Sequence, residues 1–249
     1  MSGHSKWSTI KHKKAATDAK RGKLFTRVAK EITIAAREGG GDPNSNSRLR
    51  LAIDKAREAN MPKDNIDRAI KRGTGEGEGA DYVELVYEGY APHGIGVLIA
   101  VGTDNRNRTL ADIRHTLNKY GGNMAEAGSV SWQFTRKGYL TIVGEVDQDE
   151  LFMVAADAGA DDVQFGEDGA EVYTNLDAFQ AVRETLEGNA YQIDEASLIY
   201  EPNAPIALEA GDTVQVMNLI EKLEELDDVE DVYSTLDVTD EALAQMEMA

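Results

Sequence analysis

The sequence predicts an α+β protein: an all-helical N-terminal unit followed by two α/β units on antiparallel sheets, the third inserted within the second. Three observations carry this. Apolar residues recur at helical spacing from Leu24 through position 72. Positions 139–201 hold a strand-helix-strand-strand-helix-strand order, the ferredoxin-like arrangement. One helix and one strand then remain, too little to enclose a core, so they return to the sheet that precedes the insertion. The boundaries read as 1–79 for the basic helical unit and its linker, 80–137 plus 204–249 for the second unit, and 138–203 for the inserted acidic one.

In the first unit Leu24, Phe25, Val28, Ile32, Ala35 and Ala36 repeat with helical period, and "REGGGDPNSNS" stops that helix with glycines and a proline. A second helix starts after Ser47, its N-cap, and carries Leu49, Leu51, Ile53 and Ala56. After Pro62, "KDNIDRAIKR" places Asp64 and Asp67 early and Lys71 and Arg72 late, the order the helix dipole favours. The glycine-rich stretch 73–81, "GTGEGEGAD", reads as a flexible linker. As a phosphate cradle it fails: it has no Gly-Lys-Ser/Thr, follows no strand, and contains Glu76 and Glu78.

Strand-like runs follow at 82–90 and 95–101, then a helix, "RTLADIRHTLNKY", with Leu110, Ile113, Leu117 and Tyr120 on one face. "VSWQFTR" alternates and predicts a half-buried strand over 130–136 with Val130, Trp132 and Phe134 inward. The insertion comprises strands at 139–143, 162–166, 170–174 and 196–201, with helices at 148–158 and 177–187. The returning helix, 213–226, has Val216, Leu219, Ile220, Leu223 and Leu226 on one side; a strand at 229–235 and an acidic tail complete the chain.

Charge is unevenly distributed. Residues 1–79 hold 18 Lys and Arg against 10 Asp and Glu, 80–137 hold 6 against 6, and 138–249 hold 2 against 29, so the formal charge of -19 hides a bipolar molecule. Globular scaling puts the centres of the basic lobe and the remainder about 25 Å apart. The Debye length at physiological salt is about 8 Å, so local charge outweighs net charge in choosing partners.

There is no cysteine, which excludes disulfides, thiol nucleophiles and thiolate zinc sites and fits a reducing compartment. The longest apolar stretch, "GIGVLIAVG", is too short to span a bilayer, and the start lacks a secretory apolar run; the chain reads as cytoplasmic, with no membrane partner. The four histidines show no zinc spacing, no Gly-x-Ser-x-Gly occurs, and the pairs Asp161-Asp162 and Asp227-Asp228 read as solvated turns. No reaction centre, cofactor or metal is expected.

Two stretches suit nucleic acid. From His4 to Lys30 nine basic residues meet one acidic residue, Asp18. Lys6, Trp7, Lys11, His12, Lys13, Lys14, Lys20, Arg21, Lys23 and Arg27 supply cations for phosphate and a ring for stacking, where a solvated helix face would mix signs. The second stretch, "TDNRNRT", joins a strand to a helix start; Arg106 and Arg108 there could grip phosphate, or its Asp and Asn residues could simply cap the helix.

"GHSKWSTIKHKKAATDAKRGKLFTRVAKEI", "RLRLAIDKAREANMPKDNIDRAIKRGTG", "YEGYAPHG", "TDNRNRT", "RHTLNKYGGN", "GSVSWQF" and "AGADDV" closely resemble the YebC/PmpR family over essentially the whole chain. Ala91 and His93 depart from the glycines more usual in the third motif, and Ala125 and Ala127 from the residues commoner after "GGN". The resemblance implies a bacterial cytoplasmic protein with no catalytic residues, described as a DNA-binding transcriptional regulator. Relatives, including the mitochondrial translational activator of cytochrome c oxidase, are associated with ribosomes and relief of stalling on proline-rich segments. That leaves DNA, or ribosomal RNA and tRNA on the ribosome, as the expected partner. An enzyme, or an acidic adaptor whose arm docks on a protein, are the competing readings.

Overall fold

The structure, a computed structural model, describes residues 18–76, 82–166 and 169–239, with side chains described from Leu24 onward. Most of the glycine-rich linker, residues 167–168 between the second and third strands of the insertion, and the acidic tail therefore lie outside the described residues. The protein is α+β: a helical unit, then two four-stranded antiparallel sheets with helices against them.

Helices α1 (Asp18–Gly39), α2 (Ser47–Glu58) and α3 (Lys63–Gly73) enclose a core of Val28, Ile32, Ala35, Ala36, Leu49, Ala52, Ile53, Ala56, Ile66 and Ala69. The N-cap of α2 is Asn46 rather than Ser47. Its Oδ1 accepts from the Leu49 amide at 3.0 Å while its Nδ2 donates to the carbonyls of Ala35 and Gly40. A carboxamide satisfies orphan groups of two helices at once, which a hydroxyl with one proton does less completely. Gly73 ends α3, and it must be glycine because a Cβ there would stand 2.3 Å from the Thr33 carbonyl oxygen where α1 and α3 approach closely. Leu51 points away from this core and packs against that of the second sheet.

The first sheet has the order β3-β1-β2-β9. Strand β1 (Val83–Tyr90) pairs with β2 (Gly96–Thr103) from Val83 opposite Thr103 to Tyr90 opposite Gly96. The short β3 (Asn123–Met124) borders β1, and β9 (Val229–Ser234) runs antiparallel to β2, so the predicted return of the C-terminal helix and strand is what the fold does. Helices α4 (Arg106–Lys119) and α7 (Ala210–Glu224) cover one face, burying Ile113, Leu117, Val216, Leu219, Ile220 and Leu223 on Val97, Ile99, Val101 and Val232.

Between β3 and α7 the chain builds the second sheet, β5-β6-β4-β7, from β4 (Phe134–Val143), β5 (Ala160–Gly166), β6 (Gly169–Thr174) and β7 (Ile193–Pro202). With α5 (Gln148–Ala158) and α6 (Phe179–Gly188) this is the ferredoxin-like order. Gly159 ends α5 in the left-handed conformation. A parallel two-strand ribbon joins β8 (Ile206–Ala207), which follows β7, to β10 (Leu236–Asp237), which follows β9. The faces of the two sheets opposite their helices meet through Leu98 and Tyr233 on one side and Tyr139, Tyr173 and Ile199 on the other.

The predicted strand at 130–136 is corrected. Ser131–Gln133 form one 3-10 turn, Trp132 is 70% exposed, and β4 starts only at Phe134, pairing with β7 along its length. The cause is Glu88, whose carboxylate accepts from the amides of Gly128, Val130 and Ser131 and so withdraws them from any ladder. Burial raises the Glu88 pKa, but those amides outweigh it and hold the carboxyl below the ordinary glutamate value. Val130 and Phe134 are buried as expected; the indole between them faces outward, its Nε1 donating to the Ser129 carbonyl.

Candidate nucleic-acid interface

Of the sequence-derived ligands, Lys6, Trp7, Lys11, His12, Lys13 and Lys14 lie outside the described residues. Lys20, Arg21 and Lys23 occupy the opening turns of α1, before the described side chains begin. Among the described side chains of α1 the first deeply buried one is Val28, and Leu24 is 42% exposed. Below them the cations turn inward.

Arg27 lies 3.4 Å from the Asp231 carboxylate. Lys30, a member of the same basic run, is 6% exposed and its Nζ donates to Asp228 Oδ1 at 2.8 Å and to the carbonyls of Gly102 and Asp227. Arg48 of α2 bridges Glu38 and Glu84, and Lys55 meets Glu31 at 3.4 Å. Treating the lobes as centres 25 Å apart therefore misses the seam where they touch: salt screens direct, partly buried contacts much less.

The "TDNRNRT" stretch is divided. Asn105 caps α4, its side chain accepting from the Arg108 amide. Arg108 is held by Asp104 at 2.8 Å and by Asp228 at 2.6 Å, and these hydrogen bonds raise its pKa further. Its guanidinium is thus already occupied by carboxylates of the protein itself. Arg106 is exposed and has no acidic partner among the described residues.

Asp228 joins these parts. It is buried, not a solvated turn residue, and accepts from Lys30, Arg108, Thr103 and Thr109. Burial pushes its pKa up, but the hydrogen bonds from Arg108, Lys30 and Thr109 prevail and hold it at about 2. Nothing local marked it in the sequence, because its partners lie 119 to 198 positions away.

Two residues on, Glu230 meets the opposite environment. One carboxylate oxygen is buried without a hydrogen-bond partner, close over Gly102, where any Cβ would come within 2.2 Å. Burial, then repulsion from Glu84, Glu31 and Asp231, lifts its pKa to about 7.

On the outward side, α3 presents Lys63, Arg68 and Lys71 interspersed with Asp64 and Asp67. The two aspartates sit in its N-terminal half, where they oppose phosphate. Among the described residues no group of three or more His, Asp or Glu side chains is placed to hold a metal, and no helix is long and apolar enough to cross a membrane.

Comparison with known proteins fits this architecture. Residues 5–76 match the family described as the TACO1/YebC protein N-terminal domain, and residues 82–236 match the TACO1/YebC second and third domain. A probable transcriptional regulatory protein of Geobacter sulfurreducens is 51% identical over 99% of this chain and all of its own length. One from Nitrosomonas eutropha is 54% identical over 94% of this chain and 98% of its own. The crystal structure of a conserved hypothetical protein from Aquifex aeolicus superposes with a TM-score of 0.86 at 44% identity, covering 94% of this chain and 97% of that one. Half the residues identical from end to end, on the same helical and two-sheet framework, make this chain a member of the TACO1/YebC family, the group its YebC/PmpR motifs resemble.

Proposed function

We propose that the protein is a non-enzymatic, nucleic-acid-binding regulator of gene expression in the cytoplasm, a transcriptional regulator of the YebC/PmpR type. It grips duplex DNA through its basic arm and the opening turns of α1. The observation that carries this reading is the division of the cations. Those facing the sheets, such as Lys30 and Arg48, are paired with carboxylates of the chain, whereas the arm from Lys6 to Lys23 brings seven Lys and Arg against one acidic residue, Asp18. The names of the relatives, probable transcriptional regulatory proteins, agree with it.

Binding of this kind is set by phosphate neutralisation. Titrating a labelled duplex at increasing salt should give a log-log slope of roughly -4 to -5 for about five phosphate contacts. A slope near zero, or no binding at low salt, overturns the proposal. The contacts position the protein without reading bases, and the aspartates on α3 disfavour that helix as a base reader, so discrimination among sequences should be weak.

A second reading, a ribosome-associated translation factor that relieves stalling on proline-rich segments, is favoured by the bipolar charge. A ribosome offers phosphate to the arm and basic protein surfaces to residues 138–249, with their 29 acidic side chains. Co-sedimentation with ribosomes at low salt, lost on reversing the charge of the arm, supports it; failure to co-sediment under any condition removes it.

A further inference from the structure

Away from the seam, the C-terminal end of α4 and the outer side of α7 enclose an open groove of about 420 Å³, lined by Lys119, Tyr120, Gly121, Gln215, Asn218 and Lys222. The local sequence makes the gap. Tyr120 closes α4, Gly121 takes a φ of +84, and a Cβ on Gly122 would stand 2.6 Å from the Tyr90 carbonyl oxygen. The chain thus turns tightly against β1 and leaves no side chain to fill the space.

The groove's chemistry runs against its surroundings. Residues 138–249 contain only two basic side chains; Arg183 is tied to Asp54 and Glu187, and the other, Lys222, lines this groove. Lys119 faces it from α4, with its Nζ 5.5 Å from the centre of the Tyr120 ring and no acidic partner among the described residues. Lys222 does pair with Glu225 at 2.7 Å, but both side chains are substantially exposed, and such a pair is weak and exchangeable. Gln215 shares its Oε1 with the His93 ring, which leaves its NH2 donors for another partner, and Asn218 adds a second carboxamide.

Two ammonium groups, one aromatic ring and two carboxamides match a phosphate joined to a base. A base within a duplex has its faces stacked and its pairing edge used, so only an unpaired nucleotide satisfies all five. We infer that this groove binds one unpaired nucleotide of a single strand, with phosphate on Lys119 and Lys222, the base against Tyr120, and its edge on Gln215 or Asn218. Glu221 and Glu225 flank Lys222 and limit the site to about one phosphate. The inference rests on the reading that the protein binds nucleic acid and adds a strand preference that the arm alone does not supply.

The test uses the full chain, a short fluorescein-labelled oligo(dT) strand and a short duplex. Tyr120→Leu should weaken strand binding roughly tenfold, with duplex binding unchanged. Tyr120→Phe should restore it. Lys119→Gln and Lys222→Gln should together reduce the strand's salt slope by about 0.7. A strand carrying 5-iodouracil should photo-crosslink to the peptide containing Tyr120. Because Tyr120 is partly buried, thermal melting accompanies each variant, and the two lysine variants test the site without touching the core.

Strand affinity unchanged in the groove variants, while reversal of the arm abolishes binding, overturns this inference and leaves the proposed function standing. Equal losses on strand and duplex also overturn it. Thymidine monophosphate saturating the groove as tightly as the strand would make it a small-molecule site, and polyglutamate competing as well as the strand would make it a plain anion patch; either result is fatal to the strand reading. Binding of neither strand nor duplex by the wild-type chain removes both proposals together.

Discussion

The two sides of the helical unit carry cations of the same kinds to different ends. Toward the sheets, Arg27, Lys30, Arg48 and Lys55 all terminate on carboxylates, and Lys30 is buried in doing so. Away from them, Lys63 and Lys71 have no acidic partner among the described residues. Residue type does not distinguish exposed Lys63 from buried Lys30; their places on the helices do. A basic segment is therefore not one functional object, and its charge count overstates what remains for a ligand.

The sharpest way to break this comparison is to reverse Lys11, Lys13, Lys14, Lys20 and Arg21 to Glu. Duplex affinity should fall on the order of a thousandfold at physiological salt, from the loss of about five phosphate contacts. Thermal stability should hardly move. If anisotropy titrations show the arm variant binding normally, the arm cations are not the ligands.

Lys30→Met should give the converse. It leaves Asp228 short of a buried partner and should lower unfolding stability by about 3 kcal/mol, measured by denaturant titration, without changing the salt slope of binding. The acid limb follows from Asp228. Its folded pKa of about 2 lies below the unfolded value, so its contribution is fully present above about pH 4 and is lost as the pH falls toward 2. The variant should lose much of that limb.

Glu230→Gln probes the neighbouring, unfavourable carboxylate. Its folded pKa of about 7 lies above the unfolded value, so the folded state holds the extra proton and the wild type should lose stability as the pH rises from about 4.5 to 7. Gln removes the charge that is penalised there. It should stabilise the protein by about 1–2 kcal/mol at pH 8 and flatten that part of the pH profile, a result that calorimetry across pH would check.

The smallest effects separate two arginines of one motif. Arg106→Gln should reduce the duplex salt slope by about 0.9, whereas Arg108→Gln should leave the slope alone and cost about 1 kcal/mol of stability. Equal effects on binding would mean that Arg108 releases its carboxylates for phosphate.

The helices and the ferredoxin-like order were legible because periodicity and glycine stops are local. Ile32, Leu49, Leu117, Gly159 and Leu223 all behave as their spacing implies. The return of β9 could be read because a helix and strand alone cannot bury a face. What stayed hidden depends on long-range partners. Trp132 alternates like a strand residue until Glu88, more than forty positions earlier, collects the amides beside it. The fates of Lys30 and Arg108 were set by Asp228, and the groove at Tyr120 needs α7 beside α4, a juxtaposition that no spacing records.

The nesting of one sheet within another also fixes an order of assembly. Strands β4 to β7 are contiguous, so that sheet can close as soon as its own residues leave the ribosome. Strand β2 instead awaits β9, more than a hundred residues downstream, a delay on the order of ten seconds at typical synthesis rates. During that interval a run containing Val97, Leu98 and Ile99 has one open edge, so the nascent polypeptide should be most dependent on chaperones in the window between making the middle of the molecule and sealing it.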